Sequence, residues 1–190
     1  HMTSMVISYV IVPPMLLYGI PSWLWRWAFD RAWLRPLRFV MNPIVCLLLF
    51  NMLFSFYHMP DIHDWIMTHY TEHAVFYVVL LVTAIMNWWH VSCPVPEWQR
   101  LTPLLSILYV FMNGLLLTPA CVFIIFAGTP LFSVYNDADT WVKAMGYCLS
   151  GDPAVVLAQF DGPAFFNLMS PEDDQQLGGI VMKLLQEVAN

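Results

Sequence analysis

The chain has 190 residues, a formal net charge of −6, and 11% charged residues against 59% hydrophobic and 16% aromatic ones. That balance excludes an ordinary soluble domain and leaves no basic patch with which to bind nucleic acid. It identifies a membrane protein, because several apolar stretches approach the ~20 residues that cross ~30 Å of hydrocarbon.

Taken in order, the first span runs roughly from residue 1 to 20, with Pro13-Pro14 expected to kink or break it near its far end. It lacks the basic flank and small-residue cleavage site of a secretory signal. Residues 21–38 mix Trp23, Trp25, Trp27 and Trp33 with Arg26, Arg31, Arg35 and Arg38, the pattern of an interfacial belt and a short helix lying on the membrane. Span two covers about 39–57, with Asn42 and Asn51 expected to face other helices. Span three covers about 73–91 and ends in Trp88-Trp89-His90. Span four, about 101–128, is long and carries Gly114 and Pro119 as expected interruptions.

A loop over 131–174 then holds seven acids opposed only by Lys143, and its middle is read as short amphipathic helices. A fifth apolar segment begins at Leu177 and ends at Asn190, too short to cross, so the chain reads as a piece of a longer protein cut at both ends. The expected fold is therefore all-α: one polytopic transmembrane helical bundle over 1–190, with about four full spans and the start of a fifth. Cys46, Cys93, Cys121 and Cys148 stand alone, without a C-x-x-C pair, and read as small hydrophobes.

Five of the seven basic residues fall in the first and third loops and one in the second and fourth. The arginine loops are therefore expected inside, and the stretch His58–His73 with the acidic loop outside. Those sixteen residues hold four of the six histidines, and ionisable groups at membrane depth are a functional signal. His69 and His73 are spaced i and i+4, so a helix through both puts their imidazoles on one face. Glu72 completes His-x-x-Glu-His. The turn after span two brings His58 to the same end, and His1 arrives there with Met2 and Met5.

Imidazole with thioether suits copper, above all Cu(I), and zinc accepts histidine with carboxylate. The candidate metal ligands are His1, Met5, His58, His69 and His73. Glu72, Asp64 and Asp174 are placed to orient the imidazoles. His63 and His90 read instead as interfacial anchors. Met52, Met86 and Met112 read as packing, and Met59 and Met67 are left open.

His1-Met2 leads to Pro13-Pro14-Met15-Leu16-Leu17-Tyr18-Gly19, followed by His58-Met59-Pro60, His69-x-x-Glu72-His73 and Trp88-Trp89. Gly128-Thr129-Pro130-Leu131 with Tyr135, Ser170-Pro171, and Asp174-Gln175-Gln176-Leu177-Gly178-Gly179 come next. In this order the motifs together resemble the bacterial CtaG family of polytopic assembly factors for haem-copper cytochrome c oxidase. The long acidic loop resembles the Gram-positive forms. The resemblance implies about seven helices, a multi-pass protein of the bacterial plasma membrane, and a non-enzymatic role in maturing the oxidase by supplying or protecting copper. Its partners would be an oxidase subunit and membrane lipid. Many relatives carry a histidine four residues after the first, where this chain has Met5. Other functions fit the same residues: a zinc metallohydrolase with Glu72 as base, a haem bundle with paired axial histidines, or a scaffold without metal.

Overall fold

The computed structural model describes residues 2–31, 41–147, 152, 154–155, 158 and 169–189, and among these every element is helical. The first rod is α1 (Met2–Val6), a π-helical turn over Ile7–Ile11, and α2 (Val12–Gly19). Pro13-Pro14 does not break it. Neither proline can donate to the carbonyls of Tyr9 and Val10, and the chain widens into a π turn where those carbonyls lie. Pro21 then starts α3 (Ser22–Phe29), which turns 96° from the rod. Trp23 and Trp27 are exposed on it, as an interfacial helix requires.

Helix α4 (Pro43–Tyr57) opens on Asn42, whose side chain accepts from the Ile44 amide. Asn42 is thus a cap rather than a contact between helices. After His58-Met59, Pro60 starts α5 (Pro60–Met67) at 80° to α4. Two long helices follow, α6 (Tyr70–Trp89) and α7 (Pro103–Ile125), joined by a loop containing a 3-10 turn, Pro96–Trp98. The acidic region supplies α8 (Ser133–Asn136) and α9 (Ala138–Met145), and α10 (Pro171–Ala189) closes the order. Of the amphipathic helices expected in that loop, α9 is present, capped by Asp137 through the Thr140 amide, and most of the stretch from 148 to 160 lies outside the described residues.

The expectation of about four full spans needs correction. Among the described residues only α6 and α7 are long and apolar enough to cross unaided, and the count reaches four only if each bent pair is one crossing. The reason is local. The 15 residues of α4 reach about 22 Å at 1.5 Å per residue, and Pro60 swings the next turns sideways instead of extending them. Pro119, by contrast, leaves α7 continuous. The Gly114 carbonyl, one turn before it, collects Thr118 Oγ1 at 2.8 Å and Gln186 Nε2 at 3.3 Å, so α10 braces the helix there.

Helix α4 packs between α6 and α7, the first rod lies on α6 and α10, and α10 runs antiparallel to α7. Leu17, Phe50, Phe54, Leu80, Leu117, Ile124 and Met182 form the buried centre. Between α4, α6 and α7 lies a polar knot: Asn51 and Asn87 both donate to Asn113 Oδ1, at 2.9 and 3.2 Å, and Tyr109 donates to Asn87 at 2.8 Å. The end opposite the histidine stretch is built from Trp25, Phe29, Trp89 and Trp98, with the Arg26 guanidinium forked onto Glu97 at 2.9 and 3.1 Å.

Candidate functional site

The C-terminus of α4, the whole of α5 and the N-terminus of α6 meet at one end of the bundle. His58 caps α4. Its Nδ1–H donates to the Phe54 carbonyl at 2.7 Å, which leaves Nε2 as the ring's acceptor. That Nε2 is buried and has no partner among the described residues. Its ring packs on Phe54 and Tyr57, with centroids at 4.6 and 5.3 Å.

His63 is fully buried, which corrects its reading as an interfacial anchor. On α5, His63, Ile66 and Met67 occupy i, i+3 and i+4, and this is the face that turns into the bundle. The His63 ring meets Tyr57, Phe132 and Tyr135 at 5.1, 4.6 and 5.9 Å, and its Nδ1 lies 3.5 Å from Asp64. It sits within electrostatic reach of both His58 and His73. His73, half-buried one turn into α6, sets its ring edge-on to Tyr77 at 4.2 Å. The Tyr57 and Tyr77 hydroxyls are 2.9 Å apart, and Tyr57 also approaches Met67 Sδ at 3.7 Å. The central group is thus His58, His63 and His73 around a tyrosine pair.

His69 is placed differently from the expected i, i+4 geometry. Helix α6 begins at Tyr70, and His69 is its extended cap, with φ −130° and ψ 110°. Its Nδ1 bonds the Trp65 carbonyl at 2.7 Å, one of those left open where α5 ends, and its ring rests on Trp65. His69 therefore looks back along α5. Met5 is buried in the same apolar core as Tyr57 and Phe54. His1 and Cys148 lie outside the described residues. Thr3 lines a cleft of about 290 Å³ together with Phe132, Tyr135 and Asp174, so the first rod does start at the histidine end. Glu72 is half-buried in the first turn of α6. Among the described residues no three His, Cys, Asp or Glu side chains converge closely enough to hold a metal ion in this arrangement.

The loop closes over this group. Asp64 accepts from the Ser133 and Val134 amides at 2.8 and 3.2 Å, and Tyr147 donates to the Thr68 carbonyl at 3.1 Å. Burial, with Tyr77, Asp64 and Asp174 nearby, pushes the Tyr135 phenol well above its ordinary range. At the opposite end His90 is buried too, rather than interfacial. Burial, aided by the Arg100 charge, pushes its pKa down to about 4.

No curated protein and no solved structure matches the chain. The model of the cytochrome c oxidase caa3 assembly factor family, Caa3_CtaG, matches residues 1–190. With a helical bundle and a histidine-bearing end in agreement with the motifs in the sequence, the chain belongs to the cytochrome c oxidase caa3 assembly factors.

Proposed function

We propose that this assembly factor handles Cu(I) at the outer end of its bundle and passes it to a subunit of the oxidase, without catalysing a reaction. The observation that carries the reading is His58. A histidine that ligates a metal commonly donates its other ring N–H to a backbone carbonyl, which fixes the tautomer and aims the lone pair. His58 makes that bond to Phe54, and its Nε2 is buried without a partner among the described residues. A buried acceptor left so is costly by about 1–3 kcal/mol. An ion on Nε2 removes that cost.

His58 and His73 are the imidazoles that would hold copper, with His63 between them. Met5, from the first rod, would supply a thioether, and His1 is proposed as a further imidazole. Soft and borderline ligands of this kind suit Cu(I) and leave little for magnesium or calcium. His69, held on Trp65, would join only when that contact releases. Because the described side chains are not drawn into one tight shell, binding would gather them. An open shell of this kind suits a site that must give its cargo away.

The test is a chelator-competition titration of Cu(I) on the detergent-purified protein, against a His58→Ala/His73→Ala variant, with zinc run in parallel. Selective Cu(I) binding by wild type, weaker by at least about tenfold in the variant, supports the reading; a tenfold change is about 1.4 kcal/mol. Equal affinity in the two proteins sinks it. A preference for zinc turns attention to Glu72 and hydrolysis, and a visible absorption band in the purified protein turns it to haem.

A further inference from the structure

The histidine group is roofed by one continuous piece of chain, residues 131–147, and the way that piece is attached is unequal along its length. At its base the Leu131 amide donates to Gln175 Oε1 at 2.7 Å. Gln175 in turn donates to the carbonyls of Ile124 and Thr129 at 3.3 and 3.4 Å, so α7 and α10 grip the start of the loop from both sides. Beyond that point most of the attachment is to α5 and the Thr68 cap that ends it, with Tyr147 also ring against ring on Tyr70 of α6 at 5.5 Å. Asp64 receives the first two amides of α8, Phe132 lies against His63 at 4.6 Å, Val134 and Ala144 pack on Met67, and Tyr147 ends on the Thr68 carbonyl.

We infer that residues 131–147 form a lid over the histidine group, hinged at Leu131 and latched by Asp64, and that opening this lid admits and releases the metal. The inference rests on the reading of the histidines as a copper site. Asp64 is a positioning residue: one carboxylate holds the roof through two charge-assisted hydrogen bonds and, 3.5 Å away, borders the ring of His63. Few apolar groups add to it. The roof's buried side chains are Phe132, Val134 and Ala144, fewer than α6 or α7 buries. Such a segment opens locally at less cost than the bundle unfolds. The cleft between Thr3, Tyr135 and Asp174 flanks the same roof, so a lifted lid enlarges an opening that already exists.

Three variants separate the latch from its surroundings. Asp64→Ala removes the acceptor. Ser133→Pro removes the amide and the hydroxyl that Ser133 turns to Asp64 while leaving Asp64 beside His63, and proline is tolerated there because Ser133 is the first residue of α8. Tyr147→Phe removes the bond at the far end. Metal-free wild type and variants are compared by hydrogen exchange at Val134–Asn136, and by the rate at which diethyl pyrocarbonate modifies His63. Each variant should speed both by at least about tenfold at Asp64 and by less at Tyr147, with the amides of α6 and α7 unchanged. In the copper arm, Cu(I) dissociation should accelerate in the same order.

Wild-type rates at the roof and at His63 in all three variants would overturn the lid. Acceleration spread evenly through α6 and α7 would overturn it equally, by making Asp64 a residue of global stability. If wild type binds no Cu(I), the copper reading fails, and the lid stands or falls on exchange and modification alone.

Discussion

Asn51 donates to Asn113 Oδ1 at 2.9 Å across the contact of α4 with α7, and the same oxygen takes a second bond from Asn87 on α6. One amide oxygen therefore joins three helices. Replacing Asn113 by leucine takes from Asn87 Nδ2 its bond to that oxygen and leaves Asn51 Nδ2 with the Leu47 carbonyl alone. The expected loss is about 1–3 kcal/mol, read as a lower midpoint of thermal unfolding in detergent. Replacing all three asparagines by leucine together with Tyr109→Phe should cost less than the sum of the single changes, because a network removed whole leaves no orphan group. Additive losses would mean that the amides act independently.

At the other end of α6, His90 is buried with its pKa pushed down to about 4, against about 6.5 when unfolded. Between those values the unfolded chain binds the extra proton, so stability rises with pH across that window and is lost as pH falls through it. Arg100, the neighbouring charge, works in the same direction. By pH 5 the cost should be on the order of 2 kcal/mol relative to pH 7. A His90→Gln variant should lose correspondingly less over the same range in a series of unfolding midpoints. Parallel curves for the two proteins would show that other groups control the acid response.

Gly179 sets how closely α10 approaches α7. A Cβ at that position would fall 2.8 Å from Ile125 Cγ1 and 3.2 Å from Ile124 Cγ2. Gly179→Ala should therefore destabilise by about 1–3 kcal/mol, and Ile125→Ala in the same chain should recover part of the loss. The check is the unfolding midpoint of the two single variants and the double one. Strict additivity would mean that the helices part without strain.

Much of this arrangement can be read from residue types. Trp23 to Arg31 announces a short helix with tryptophans on its outer face, and α3 is a short helix that exposes Trp23 and Trp27. Asn51 in an apolar run announces a polar partner, which proved to be Asn113. The end at which His58 and His73 meet follows from the alternation of apolar stretches. What composition does not give is the angle between successive helices. Pro60 marks a helix start, but not that the helix leaves α4 at 80° and folds under the loop. That angle is what carries His63 inward and turns His69 away. A signal was present all the same: His63, Ile66 and Met67 share a face, and a histidine in the company of isoleucine and methionine is on the buried side. The pairing of Asp64 with amides 69 and 70 residues on left no such signal. Contacts at that separation depend on the whole fold.

The antiparallel seating of α10 bears on how the chain enters a bilayer. Lys183 donates to Thr118 Oγ1 at 2.7 Å and is paired with Glu187, which sets both charges level with the middle of α7. A lysine at that depth costs a lone helix about 2.5–3.5 kcal/mol on insertion. The acceptors that offset the cost, Thr118 and the Gly114 carbonyl, belong to α7. Helix α10 is therefore a poor candidate for independent integration, and α7 must already be present as its template.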